Sequence, residues 1–191
     1  MKIFTKILLF LGVVCIAFIT GNYIYKNYLK INPEKISDPA QSDKSFKINI
    51  PAFISDGNIT AKYTCDGVNI SPEIRIINTP KTAKSLVILI DDKDTPSGTW
   101  VHWLVWNIAP DTTVIPENSM PAGAVTGKNG FGKNTYGGPC PPERIHHYLF
   151  TVYALDNYLL LPEGSQKNDV ITAMNTHVIG QANYVGIYSR D

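Results

Sequence analysis

The run Leu86-Val87-Ile88-Leu89-Ile90-Asp91-Asp92-Lys93-Asp94-Thr95-Pro96 decides how the chain folds. Five consecutive apolar residues leave no polar face, so they read as a central strand covered on both sides. Carboxylates and a proline follow at once, the composition of a turn at a strand end. Working outward, Phe46-Lys47-Ile48-Asn49-Ile50 alternates with period two, as a half-buried strand does. Ile74-Arg75-Ile76-Ile77, residues 101–108, residues 148–155 and residues 184–188 supply further β-branched and aromatic runs. Gly, Pro, Asn and Asp clusters between them predict turns or long loops. The segment 110–143 is long and rich in Gly and Pro, and such a loop in a compact domain is usually functional.

One helix is expected late in the chain. Val170, Ile171, Met174, His177 and Val178 fall on one helical face, which makes His177 a structural residue. Ser165 is the expected N-cap, Asp169 lies near the first turn, and Gly180 is placed to close the far end. Many strands and one helix predict a mainly β domain over residues 46–191, either a β-sandwich or a β-rich α+β fold.

The 191 residues suit one domain plus an extra segment. With 44% hydrophobic and 17% charged residues, the chain can bury a real core. Lys2 and Lys6 are the only charges before residue 26; taking these two from the 17 basic residues leaves 15 against 16 acidic ones. A near-neutral body without a basic face excludes nucleic acid as the main partner. The two lysines precede an apolar run from Ile7, so residues 1–25 read as a secretory signal. Extended through Tyr25, the same stretch is long enough for an uncleaved membrane anchor. Residues 26–45, with Pro33 and Pro39, read as a linker. Export is therefore expected, with the domain periplasmic or extracellular and either released or held to the membrane by residues 7–25. Outside the leader only Cys65 and Cys140 remain, and an oxidising compartment favours their disulfide over two unpaired thiols.

Three segments gather polar groups at strand ends. Asp92 and Asp94 are two apart, so in an extended chain they share a face, where they can act as acid and base, bind a metal or orient neighbours. The bland alternative is a turn rich in aspartate. His102 stands between Trp100 and Trp103, where a histidine is more often a satisfied core residue than a ligand. Gly137-Gly138 allows close approach of a ligand and offers N–H donors suited to an anion, and Pro139 stiffens the loop. His146 and Tyr148 share a strand face, and His147 points the other way.

Taken together these segments resemble the phosphatidylethanolamine-binding protein family, also called Raf-kinase-inhibitor-like, in its bacterial branch. Asp92-x-Asp94-x-Pro96, Trp100-x-His102-x-Leu104-Val105-x-Asn107 and Gly138-Pro139-x-Pro141-Pro142 with His146-x-Tyr148 carry the resemblance. Lys62-Tyr63-Thr64-Cys65-Asp66-Gly67, Ser71-Pro72 and Leu161-Pro162-Glu163-Gly164 extend it over nearly the whole domain. Lys93 and Thr95 depart from the proline and alanine common there and alter the rim. The resemblance implies a β-sandwich-like fold with a shallow pocket at one end that takes phosphate, acetate or a phosphate-bearing headgroup. The pocket would use Asp92, Asp94, Pro96, Trp100, His102, Gly138, Pro139, His146 and Tyr148. It also implies a cis bond at Thr95-Pro96.

In that pocket two imidazoles, a phenol and the glycine N–H groups would meet the anion, while the aspartates hold them in place. The expected function is an extracytoplasmic small-anion or headgroup-binding protein without cofactor or catalysis. The alternatives are a regulator of a partner protein, protease or kinase, and an acid–base hydrolase.

Overall fold

The computed structural model describes residues 45–96 and 98–190. The expected leader, 1–25, and all but the last residue of the expected linker, 26–45, lie outside them.

The apolar run opens β4 (Ser85–Thr95), the middle of a six-stranded sheet. Antiparallel partners flank it, β5 (Gly98–Ile108) on one side and β8 (His146–Leu155) on the other. Next to β8 comes β9 (Val178–Tyr188), whose far edge pairs in parallel with β2 (Gly57–Asn58). At the other edge β5 pairs with β7 (Val125–Thr126). A second sheet joins β1 (Lys47–Asn49), β3 (Ile74–Ile77) and β6 (Val114–Ile115).

The fully apolar β4 run follows from its position between two cores. Leu86, Ile88 and Ile90 pack with Ile48, Ile74, Trp103 and Phe150 in the layer between the sheets. Val87 and Leu89 enter the opposite layer with Leu104, Trp106 and Tyr153, covered by α1 (Lys167–Met174) through Val170, Ile171 and Met174. Each such fully buried side chain contributes roughly 2 kcal/mol of transfer free energy. The alternation in β3, with Ile74 and Ile76 buried and Arg75 and Ile77 exposed, matches a strand with one wet face.

The fold is a mainly β sandwich with a single α-helix among the described residues. Three expected details differ. The helix ends at Met174, because Val178 starts a strand that pairs with Leu155, and Gly180 lies inside that strand. Its N-cap is Gln166, whose N–H donates to the Asp169 carboxylate at 2.9 Å, whereas the Ser165 hydroxyl is given to the Pro162 carbonyl. The Thr95–Pro96 bond is trans, since no cis peptide occurs among the described residues. There the β4–β5 reversal uses Gly98 at a φ of 103°, with the Thr95 hydroxyl donating to its carbonyl. The expected helical residue His177 lies just beyond α1, where its Nδ1 is 2.8 Å from the Asp156 carboxylate.

Cys65 and Cys140 form a disulfide across a sequence separation of 75, with their Cα atoms 5.4 Å apart. It ties the segment after the 3₁₀ turn Ala61–Tyr63 to the Gly137–Pro139 loop. In the chain-entropy picture, closing a loop of this length stabilises the fold by about 4 kcal/mol. Replacing both cysteines by serine is expected to lower unfolding free energy by roughly that amount in urea titrations. An unchanged denaturation midpoint would contradict the bridge's contribution.

Candidate functional site

Asp92 lies where β4 runs out of core. It stands opposite Tyr148 on β8 and opposite Trp100 on β5. His146 is two residues before Tyr148 on β8, so both rings project to the same side as Asp92. The Asp92 Oδ2 and His146 Nδ1 atoms are 2.7 Å apart, and both residues are buried. The second oxygen, Oδ1, accepts the Asp94 N–H at 2.8 Å. Both oxygens of this buried carboxylate are thus occupied, as a desolvated charge requires.

His102 reaches the same place by an irregularity of β5. Asp91 pairs with Val101 and Ile90 with Trp103, so His102 is an extra residue in the strand. Val101 consequently packs on the α1 side, while Trp103 enters the inter-sheet core. The His102 Nδ1 lies 2.6 Å from the Gly137 carbonyl oxygen. A carbonyl only accepts, so Nδ1 carries the hydrogen. The His102 ring meets Tyr148 edge-on with centroids 5.1 Å apart, and Phe131 at 5.9 Å. The His146 ring stacks on Tyr148 at 6.5 Å.

Tyr148 is wholly buried, yet its hydroxyl has no hydrogen-bond partner among the described residues. Leaving such a group unsatisfied costs about 1–3 kcal/mol. The indole N–H groups of Trp103 and Trp106 are also unpartnered, but they belong to the apolar layers. Tyr148 alone of the three has imidazoles on both sides in the ring contacts. Burial, and after it the charge of Asp92, pushes its phenol upward from the ordinary value, so it remains an O–H donor.

The glycine loop works differently from the sequence expectation. The Gly137 N–H donates to the His102 carbonyl at 2.9 Å, and the Gly138 N–H to Asn69 Oδ1 at 2.7 Å. Neither is left over as an anion donor. Gly138 is needed for close packing, since a Cβ there would lie 2.3 Å from the Tyr63 carbonyl oxygen. The loop is braced to the 63–69 segment by the disulfide, by the Cys65 N–H on the Pro139 carbonyl and by the Tyr136 hydroxyl on the Tyr63 carbonyl.

Asp94, Pro96 and Trp100 belong to the rim. Asp94 is exposed and bonds His147, whose N–H and Nδ1 both lie 2.7 Å from Oδ2. The His147 side chain therefore takes part in the rim, although strand alternation placed it on the other side. Its hydrogen bond holds the Asp94 carboxyl below the usual range. Pro96 is exposed at the β4–β5 turn, and Trp100 meets Phe131 edge-on at 5.4 Å. Asn69 and Phe131 are contributors that sequence reasoning missed; only the loop length of 110–143 hinted at the second. Asp91, on the opposite face, bonds Lys167 at the start of α1 at 2.7 Å.

A separate depression lined by Met120, Val125, Thr126, Leu161 and Glu163 contains none of the histidines. Among the described residues no group of three His, Cys, Asp or Glu side chains has the arrangement of a metal site.

Comparison with known proteins matches residues 49–189 to the family model described as phosphatidylethanolamine-binding protein. A UPF0098 protein of Methanothermobacter thermautotrophicus is 46% identical over 144 residues, covering 73% of this chain and 95% of its own. A UPF0098 protein of Pyrococcus horikoshii is 45% identical over 141 residues, covering 69% and 71% respectively. The crystal structure of a phosphatidylethanolamine-binding protein homolog from Chlamydia trachomatis superposes with a TM-score of 0.74 at 38% identity, over 77% of this chain and 99% of that one. Escherichia coli YbcL, described as a new member of the mammalian family, gives 0.73 at 29% identity with the same coverage.

Burial, opposed by the weaker pull of the Gly137 carbonyl and Asp92, lowers the His102 pKa from 6.5. The unfolded chain then binds the extra proton, so this contribution to stability is complete above 6.5 and is lost as pH falls toward the folded value. Ring titration by NMR is expected to show His102 gaining its proton below 6.5, with urea midpoints declining over the same range. Titration of His102 above that value would contradict the assignment.

Proposed function

The chain belongs to the phosphatidylethanolamine-binding protein family, and from that premise we propose that it is a binding protein for a small oxoanion or a phosphate-bearing headgroup. One observation carries the reading: a buried Tyr148 hydroxyl without a partner among the described residues, beside two imidazoles whose Nδ1 atoms are already engaged. The protein thereby leaves a hydrogen-bond donor and the Nε2 edges of His102 and His146 for something other than itself. Asp92 acts by fixing the His146 ring, and Asp94 by bonding the His147 rim.

Binding is favoured over catalysis by the chemistry present. The sulfur of Cys140, near the loop, is held in the disulfide and is no nucleophile. The disulfide also supports an oxidising, extracytoplasmic location, in keeping with the charged and apolar start of the chain. In this reading residues 7–25 either direct export and are removed or hold the domain at the membrane, which fractionation with N-terminal sequencing distinguishes.

Titrating the protein with phosphate at about millimolar concentration is expected to shift the ring resonances of His102 and His146. His146→Ala is expected to weaken binding on the order of tenfold or more while retaining the fold by circular dichroism. Absence of any shift in the wild-type protein would reject the pocket.

A further inference from the structure

The anion reading leaves open which groups of the pocket donate and which accept. The hydrogen-bond network answers this for His102. Its Nδ1 hydrogen is committed to the Gly137 carbonyl at 2.6 Å. In a neutral imidazole the other nitrogen then bears a lone pair. Among the described residues nothing donates to that Nε2. The two backbone donors of the loop, Gly137 and Gly138, are consumed by the His102 carbonyl and by Asn69.

Resting on the anion-pocket reading above, we infer that His102 meets the ligand as a hydrogen-bond acceptor, so the pocket selects a phosphate that still carries a proton over fully ionised oxoanions.

Two features keep the ring neutral at ordinary pH. It is 2% exposed among aromatic rings, and removal from water disfavours the cation. The charged and titratable groups around it do not bond to it. From β4, Asp92 is occupied by His146 and the Asp94 N–H, and Asp91, on the opposite face, by Lys167. From β8 come His146 and the protonated phenol of Tyr148, and from the loop Tyr136, which donates to the Tyr63 carbonyl. A ligand P–OH donating to Nε2, with a neighbouring oxygen accepting from Tyr148, satisfies both groups at once. A fully ionised oxoanion instead sets an oxygen lone pair against the nitrogen lone pair, the mismatch by which a polar site rejects an isostere.

The test uses the wild-type protein and calorimetry with inorganic phosphate, methyl phosphate, dimethyl phosphate and sulfate. At about pH 7.5 inorganic phosphate retains a proton, whereas methyl phosphate, with a second ionisation at about 6, the diester and sulfate have none, although their charges bracket that of phosphate. Phosphate is expected to bind roughly tenfold or more tighter than the other three at that pH, and methyl phosphate to gain affinity as pH falls through about 6 and it takes up its proton. Sulfate is expected to gain affinity as pH falls and Nε2 becomes a donor. Nitrogen-15 spectra of the free protein are expected to show His102 protonated at Nδ1 and bare at Nε2. Equal affinity for all four anions, or a proton on Nε2, overturns the inference while leaving the pocket intact. Failure of every anion to bind at any pH overturns the pocket reading itself and the inference with it.

Discussion

A carboxylate buried at the end of a hydrophobic strand must be met by donors, and the surroundings of Asp92 are built to that requirement. The β4–β8 ladder carries it out of water beside Tyr148, leaving one oxygen to His146 and the other to the Asp94 N–H. Those bonds fix the orientation of the His146 ring and the exit of β4 toward its turn. Removing the carboxylate would leave a buried imidazole N–H without a partner, at about 1–3 kcal/mol. The adjacent Asp91 faces the other way and meets the same demand through Lys167. Two neighbouring acids thus anchor the two faces of the sheet, one to the candidate pocket and one to the helix.

The opposite side of the candidate site is built from segments distant in sequence. The disulfide, Asn69 and the Tyr136 hydroxyl join the 63–69 segment to the glycine loop, and Gly137 in turn receives the His102 hydrogen. Asn69 adopts a left-handed φ of 61°, a conformation that asparagine tolerates better than most residues. The glycines matter for the closeness of this contact, and their N–H groups serve the protein itself. What the protein does not use at the candidate site are the Nε2 edges of His102 and His146 and the Tyr148 hydroxyl.

Much of this was legible in the sequence because it obeys local periodicity. The unbroken apolar run of β4 announced a strand between two cores, and the alternation of 46–50 announced a strand with one wet face. The two-residue strands β2, β6 and β7 left no pattern, since pairing with a neighbour defines them rather than composition. The family resemblance of the motifs that carry Asp92, Asp94, His102, His146 and Tyr148 pointed to one region of the fold, but not to how they divide within it. The extra residue at His102 shifts the face of the residues that follow it, until a second irregularity before Ile108, and no spacing rule reveals a bulge. Nor does sequence show which donors are already used. Asn69 became visible only once the fold brought it to Gly138.

A crystal structure of the protein with phosphate bound tests the central claim most directly. The account predicts phosphate oxygens about 3 Å from the Tyr148 hydroxyl and from the Nε2 atoms of His146 and His102, with Asn69 still holding the Gly138 N–H. Phosphate cradled instead by the Gly137 and Gly138 N–H groups, with Asn69 displaced and the Tyr148 hydroxyl unengaged, would contradict it.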